Sequence, residues 1–379
     1  MTAEAPVYLD YNATTPVHPD VREAMLPWLG DKWGNPSSGH HHGREAAEAV
    51  ARARAQVATL IGAEPHQLIF TGGGTEADNL ALRGPTVARR HIVVSAVEHP
   101  AIELPARALE ADGWTRTELA VDGRGRVDME AAASKLEQPA GLLSVILAQN
   151  ETGVIQPVAA LAQAARATAA DVVVHTDAAQ AVGKIPVDVR ALGVDLLTIV
   201  SHKLYGPNGI GALFVRDGLA LQPLTLGGGQ EGGRRPGTEP VVLIVGMGAA
   251  CALAQRTLDE EMRRQRGLRS RLWAQLRDGI RGIQWTGEGT ELLPNTLHVR
   301  VPGCEGAAIL AAAPEVAAST GSACHTDATT PSGVLGAMGL SLADARGALR
   351  LTLGRRTQLD DVERASRALV DAVTELSDS

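Results

Sequence analysis

Residues 172–215 read VVVHTDAAQAVGKIPVDVRALGVDLLTIVSHKLYGPNGIGALFV. The short apolar runs 172–175, 196–200 and 210–215 read as strands, and 187–192 reads as helix, so the stretch alternates β and α as βαβ units do. Outward from it the alternation continues. Runs 67–71, 91–95 and 142–147 are further strand candidates, and the alanine-rich segments 44–60 and 158–168 have helical patterning. Loops rich in Gly, Pro, Asn and Asp punctuate them. The expected fold is α/β, with a mostly parallel central sheet flanked by helices.

After Pro240 the pattern becomes one long helical stretch, apolar first and charged later, reaching about Asp278. Beyond it, 295–301, 305–313, 349–353 and 359–376 alternate strand and helix in a smaller C-terminal α/β unit. These patterns suggest a large domain over 15–255 and a small one over 256–379 that also takes in 1–14. No Pro/Gly/Ser-rich linker separates them, so a shared cleft is expected.

With 379 residues, 45% hydrophobic and 21% charged, the chain has the composition of a folded soluble protein. Its net charge of −8 gives no diffuse attraction to nucleic acid or anionic lipid. The longest apolar run, residues 241–254, falls short of the roughly 20 residues that span a bilayer and reads as a buried helix. No basic or apolar leader pattern opens the sequence, so the cytoplasm is the expected location. Three cysteines without a CxxC pair make no disulfide framework and no zinc or iron–sulfur site. His40-His41-His42 are consecutive and converge poorly on one ion, so no metal is expected. The arginines at 263, 264, 266, 269 and 271 read as a solvated helix face.

Ligands of open parallel sheets lie outside the strands' carboxyl ends. Five successive ends here carry Gly72-Gly73-Gly74-Thr75-Glu76, Glu98-His99, Asn150-Glu151-Thr152-Gly153, Asp177-Ala178-Ala179-Gln180 and Ser201-His202-Lys203. Backbone N–H groups where the glycine turn opens a helix suit a phosphate dianion, although the same glycines also make an ordinary turn. Lys203 is the candidate covalent amine, since a lysine of lowered pKa forms Schiff bases with carbonyls; alone at a strand end it would be a surface group. Asp177 fits either the carboxylate set against the pyridinium nitrogen of pyridoxal 5′-phosphate (PLP) or a helix N-cap. His99 either stacks on a ring or caps a turn, and Asn150 and Gln180 bond either a ring hydroxyl or each other. Phosphate turn, carboxylate and lysine in that order point together to PLP. A literal GxGxxG at 227–232 is followed by Gly233-Arg234-Arg235-Pro236-Gly237, which cannot open the helix a dinucleotide site needs.

Cys251, inside an apolar run, reads as a buried hydrophobe, and Cys304 as structural. Cys324 lies in the small, polar stretch Ser319-Thr320-Gly321-Ser322-Ala323-Cys324-His325-Thr326-Asp327, which suits an exposed thiol. At a reference pKa of about 8.5 only a few per cent is thiolate at neutral pH, yet thiolate is intrinsically very nucleophilic. The adjacent His325 is a candidate assistant, although sequence neighbours often point apart.

Tyr8-Leu9-Asp10-Tyr11-Asn12-Ala13-Thr14-Thr15-Pro16, Gly34-Asn35-Pro36-Ser37-Ser38, Gly74-Thr75-Glu76, Glu98-His99, Asn150-Glu151-Thr152-Gly153, His202-Lys203, Arg235-Pro236-Gly237-Thr238 and Gly321-Ser322-Ala323-Cys324 occur in one order along nearly the whole chain. In these motifs the sequence resembles the NifS/IscS-like cysteine desulfurases of the class V aminotransferase group, PLP enzymes of fold type I. The resemblance implies Lys203 as Schiff-base lysine, Asp177 as pyridinium partner, His99 as stacking ring, and Asn150 and Gln180 around the ring hydroxyl. It implies Gly74, Thr75 and His202 as phosphate ligands, with Thr238 reaching the phosphate of a neighbouring subunit in a homodimer. Asn12, Asn150 and Arg350 resemble the substrate-binding residues, Arg350 as carboxylate clamp, and Cys324 the persulfide-forming cysteine. The implied reaction turns L-cysteine into L-alanine and passes sulfur through Cys324 to an acceptor protein. Val200 stands where many members have a phosphate-binding serine. Together with Arg235-Pro236-Gly237-Thr238-Glu239 and Ala323-Cys324-His325 it looks more like the selenocysteine lyases, which makes L-selenocysteine the alternative substrate. The sequence runs only a little past its final helical pattern, where some members carry an extension that docks an iron–sulfur scaffold protein.

Overall fold

The structure, a computed structural model, describes residues 5–321 and 333–378. Its centre is a seven-stranded sheet: β1 (Leu68–Thr71), β2 (His91–Ser95), β3 (Thr115–Leu119), β4 (Leu142–Ser144), β5 (Val173–Asp177), β6 (Leu196–Val200) and β7 (Gly211–Val215). The spatial order is β1-β7-β6-β5-β4-β2-β3. Only β7 runs against the others, being antiparallel to both neighbours. Successive side chains point to opposite faces, and both faces are covered. Leu142, Val173 and Leu196 meet Leu80 and Ile102 on one side, and Leu143, Val174 and Leu197 meet Val57, Leu161 and Met247 on the other. Strands buried on both faces need no polar alternation, which is why they read as continuous apolar runs.

Most strand and helix bounds shift by a few residues, and two differences are larger. The run 142–147 is regular strand only to Ser144, but Val145 and Leu147 N–H go on donating to His175 and Asp177 carbonyls at 3.2 and 2.8 Å. The edge strand β3 was not expected. Its Thr-Arg-Thr-Glu alternation is half exposed and carries no apolar signal.

The principal helices on the sheet are α1 (His41–Leu60) and α2 (Gly74–Arg83), and the long helix is α3 (Val241–Gly279). His40 caps α1, its Nδ1 accepting from Gly43 N–H at 3.3 Å, and His42 stacks on Trp33 with centroids 5.3 Å apart. Helix α3 is long and apolar enough in its first half to cross a membrane by composition, but there Ile244, Met247, Ala250, Cys251 and Ala254 are buried in the sheet's core. Further along, Leu272 and Leu276 belong to a second core with Val7, Leu9, Leu297, Val299, Leu351 and Leu369. That core covers a three-stranded antiparallel sheet of Ala348–Thr352, Thr296–Arg300 and Gln284–Trp285.

The expectation of a solvated arginine face on α3 is corrected at two positions. Arg269 is buried, its guanidinium 5.1 Å from the Trp285 ring centroid and donating from Nη1 to the Leu293 carbonyl. Burial lowers its pKa to about 10. Arg264 donates to the carbonyls of Thr357 and Gly354 at 2.7 and 2.8 Å. Arg269 faces the turns of the second core, and Arg264 is shared between those turns and Glu261 on its own helix.

The glycine-rich segment after residue 226 is pinned by one buried carboxylate. Glu231, at φ +51°, accepts from Arg54 Nη1 and Nη2 at 2.8 and 2.6 Å and from Phe70 N–H at 3.1 Å. Its side chain is only 2% exposed. Removing Arg54 strands that charge, so Arg54→Ala should cost about 3 kcal/mol of stability in urea unfolding. Adding Glu231→Ala to that variant should recover part of the loss.

Candidate active site

The carboxyl ends of β1, β2, β5 and β6 open on one cavity of about 410 Å³, lined by Asn12, Gly74, Thr75, Asp78, His99, Asn150, Asp177, Gln180, Val200, His202, Lys203 and Arg350 among others. From β1 the chain turns through Gly73, at φ +147°, into α2. A Cβ on Gly74 would stand 2.7 Å from Val200 Cγ2, so the helix start can sit this close to β6 only as glycine. No side chain caps α2, leaving its first N–H groups to whatever enters the cavity. Glu76 closes the turn, accepting from Gly72 N–H at 2.6 Å and from Arg235 Nε at 2.9 Å.

His99 caps the helix Pro100–Ala111, with Nδ1 accepting from Ala101 N–H at 3.1 Å, and its ring also lines the cavity. The capping reading of this histidine holds, and its ring is also open to the cavity. Burial lowers its pKa, against the opposing pull of Asp177. The preceding Glu98 lies beneath it, accepting from Ile146 N–H at 2.9 Å and from Ser95 Oγ. Burial pushes that carboxyl up to about 8, so it is largely neutral at pH 7.

Asp177 ends β5 and accepts from Ala179 N–H at 2.8 Å. Its burial raises its pKa, and its charge adds to the burial that lifts Asp78, well above the usual carboxylate range. Two buried carboxyls thus face one cavity. Sequence reading missed Asp78, although it lies one turn beyond Thr75 on α2, hence on the same face.

Lys203 sits in the short turn Ser201–Lys203 and donates from Nζ to the carbonyls of Asn12 and Ala13 at 2.7 and 2.6 Å. Burial, and secondarily Arg350, lowers its pKa to about 8. His202 Nδ1 lies 3.1 Å from Thr14 Oγ1, and burial holds its pKa down at about 4. Arg350, on the second core's sheet, pairs with Asp10 at 2.7 Å and donates to the Asn150 carbonyl at 3.3 Å, while its Nε has no partner among the described residues.

Asn12 is tied on every side. Its carbonyl accepts from Lys203 and Gln180, its Nδ2 donates to the Asn150 carbonyl and Thr296 Oγ1, and its Oδ1 accepts from Lys184 and Asn295. Lys184, the second residue missed, shows in sequence only as a lone amine within an apolar run. Asn150 and Gln180 have other bonding partners than each other: Asn150 Oδ1 accepts from Gln149 at 3.3 Å, and Gln180 bonds Asn12 and Lys184. Thr238 is exposed and is not part of this chain's cavity lining. Cys324 and His325 lie outside the described residues. Cys251 is fully buried, its thiol pushed up to about 12, and Cys304 is half-buried against the second core.

The model of the aminotransferase class-V family matches residues 7–365. The chain belongs to this family. A cysteine desulfurase IscS of Dictyoglomus turgidum is 43% identical over 362 residues, covering 94% of this chain and 91% of that protein. A solved NifS-like protein superposes with a TM-score of 0.90 at 33% identity, covering 97% of this chain and 99% of that one. A structure of SspA in complex with cysteine gives 0.78 at 34% identity, with 91% and 98% covered. The mixed sheet and its flanking helices are thus the α/β fold of class-V aminotransferases, consistent with fold type I.

Below its pKa Lys203 is protonated and unreactive, and above it the free amine attacks. In ligand-free protein, modification of Lys203 by trinitrobenzenesulfonate, read by peptide mass spectrometry, should rise with a midpoint near pH 8, about two units below a solvated lysine. Arg350→Ala should move that midpoint upward, because the guanidinium disfavours the charged amine.

Proposed function

We propose that this chain is a PLP-dependent cysteine desulfurase, and that the meeting of the Lys203 amine, the Asp177 carboxyl and the Arg350 guanidinium on one cavity carries the reading. Relatives named cysteine desulfurase cover nearly the whole chain at about 40% identity, which favours L-cysteine over L-selenocysteine despite Val200.

The residues present suit PLP. The uncapped start of α2, with Gly74 close against Val200, is a cradle that a Cβ would fill, and Thr75 and His202 border it. These would hold the phosphate. Asp177, one of two buried carboxyls facing the cavity, would meet the ring nitrogen. His99 would lie on the ring, Gln180 at its oxygen, and Lys203 at its aldehyde carbon. Bound there, PLP supplies an electron-withdrawing ring that loosens the bonds at an amino acid's Cα.

The chain's own groups do the rest. Arg350, oriented by Asp10 and the Asn150 carbonyl, takes the substrate carboxylate in a charge-assisted pair. Lys203, with its lowered pKa, takes the proton from the substrate Cα and returns one. The Cys324 thiolate takes the sulfur: the substrate C–S bond breaks, an S–S bond forms on the enzyme, and alanine leaves. Thr238 and Leu226, the latter 92% exposed, lie on the segment offered to a second copy in a homodimer. An acceptor protein then removes the persulfide sulfur.

Cys324→Ala should keep the visible absorbance of bound cofactor yet gain no sulfur after cysteine is added, as read by intact-protein mass spectrometry. Sustained alanine production by that variant would refute the role. For the unmutated protein, kcat/KM should show efficient turnover of cysteine; turnover confined to selenocysteine would overturn the substrate assignment.

A further inference from the structure

Behind the cavity lies a second buried amine that the proposed chemistry does not use. Lys184 Nζ donates to Gln180 Oε1 at 2.5 Å and to Asn12 Oδ1 at 2.8 Å, and the residue is 8% exposed. Among the described residues no carboxylate pairs with it, and the charged groups that act on it, Lys203 and Arg350, are both cations. Burial and these neighbours hold its pKa well below the usual lysine range. An amine buried at such a cost, against partners that are all neutral amides, calls for a reason.

The reason lies in what an amine can and cannot do. Its Nζ donates to both amides that it meets, and an amide accepts only on its oxygen, so each turns its oxygen inward. Gln180 does so, and its Nε2 is thereby left on the opposite side, donating to the Asn12 carbonyl at 2.9 Å while the residue lines the cavity. With the amide reversed, an NH2 group would face the donors of the amine and an oxygen would face a carbonyl oxygen. Asn12 is set in the same way. Lys184 and Asn295 share its Oδ1, and its Nδ2 reaches Thr296 Oγ1 at 2.9 Å. A carboxylate at position 184 would turn both amides over, and an apolar side chain would leave the Gln180 flip set from one side only.

We infer that Lys184 is a positioning residue which fixes the Gln180 amide so that its cavity edge presents N–H and not C=O to the ring oxygen of PLP. The inference rests on the cofactor reading above and deepens it, since it assigns the sense of one hydrogen bond to a residue outside the cavity lining.

The test uses PLP-loaded protein and the pH dependence of its visible absorbance band. Lys184→Met keeps the stem and removes the donors. Its loss leaves the Asn12 carbonyl alone to set the Gln180 amide, which weakens the donor offered to the ring oxygen and favours the protonated chromophore. The midpoint of the band should move up by about one pH unit, and PLP should be held about tenfold more weakly, the scale of one hydrogen bond. In a Gln180→Ala background the same substitution should add no shift, because Lys184 acts through that amide. An unshifted midpoint in Lys184→Met, or an equal shift in both backgrounds, would overturn the inference while leaving the cofactor in place. Unmutated protein that shows no visible band with added PLP would overturn the cofactor assignment, and the inference with it. Should Lys184→Met fail to fold, neutron diffraction of the unmutated holoprotein reads the flip directly: Gln180 oxygen toward Lys184 supports the inference, and NH2 toward Lys184 overturns it.

Discussion

The site depends on cations held out of water by neutral oxygens. The Asn12 carbonyl is the meeting point: it accepts from Lys203 and Gln180, while the Asn12 N–H donates to Thr352 Oγ1 at 3.0 Å on the second core's sheet. A segment near the amino terminus thus joins the reactive amine of the central sheet to a strand of the other core. Carbonyls restrain an ammonium without paying back its full hydration, so Lys203 keeps an amine that ionises near pH 8. A carboxylate in the same place would hold the proton and make the amine inert.

Val200 and Gly74 illustrate how one position constrains another. The valine methyl fills the space a Cβ at 74 would need, and it gives that wall of the cavity an apolar surface where a hydroxyl would offer a bond. An anion entering at this end of the sheet would meet the start of α2, Thr75 and His202.

Much of this was readable beforehand. The bounds of β2 and β6 agree with the apolar runs, because strands covered on both faces announce themselves by hydrophobicity alone. The strand-end residues Thr75, His99, Asp177 and Lys203 do meet, as parallel-sheet geometry requires. What escaped has physical reasons. The β3 edge is half solvated and lacks an apolar signature. Asp78 and Lys184 are polar groups whose burial arises from tertiary packing, which spacing alone does not reveal. Arg264 and Arg269 looked solvated because the carbonyls that receive them lie at chain turns distant in sequence, even though Arg264 also pairs with Glu261.

Helix α3 gives one rod to two apolar interiors, with Met247 and Ala254 in the first and Leu272 and Leu276 in the second. The two halves therefore share a single load-bearing member, and neither owns it. Cleavage of the backbone midway along that rod would leave each fragment with a greasy stump and its interior unlidded. Heating the intact polypeptide should for the same reason couple the loss of one interior to the loss of the other.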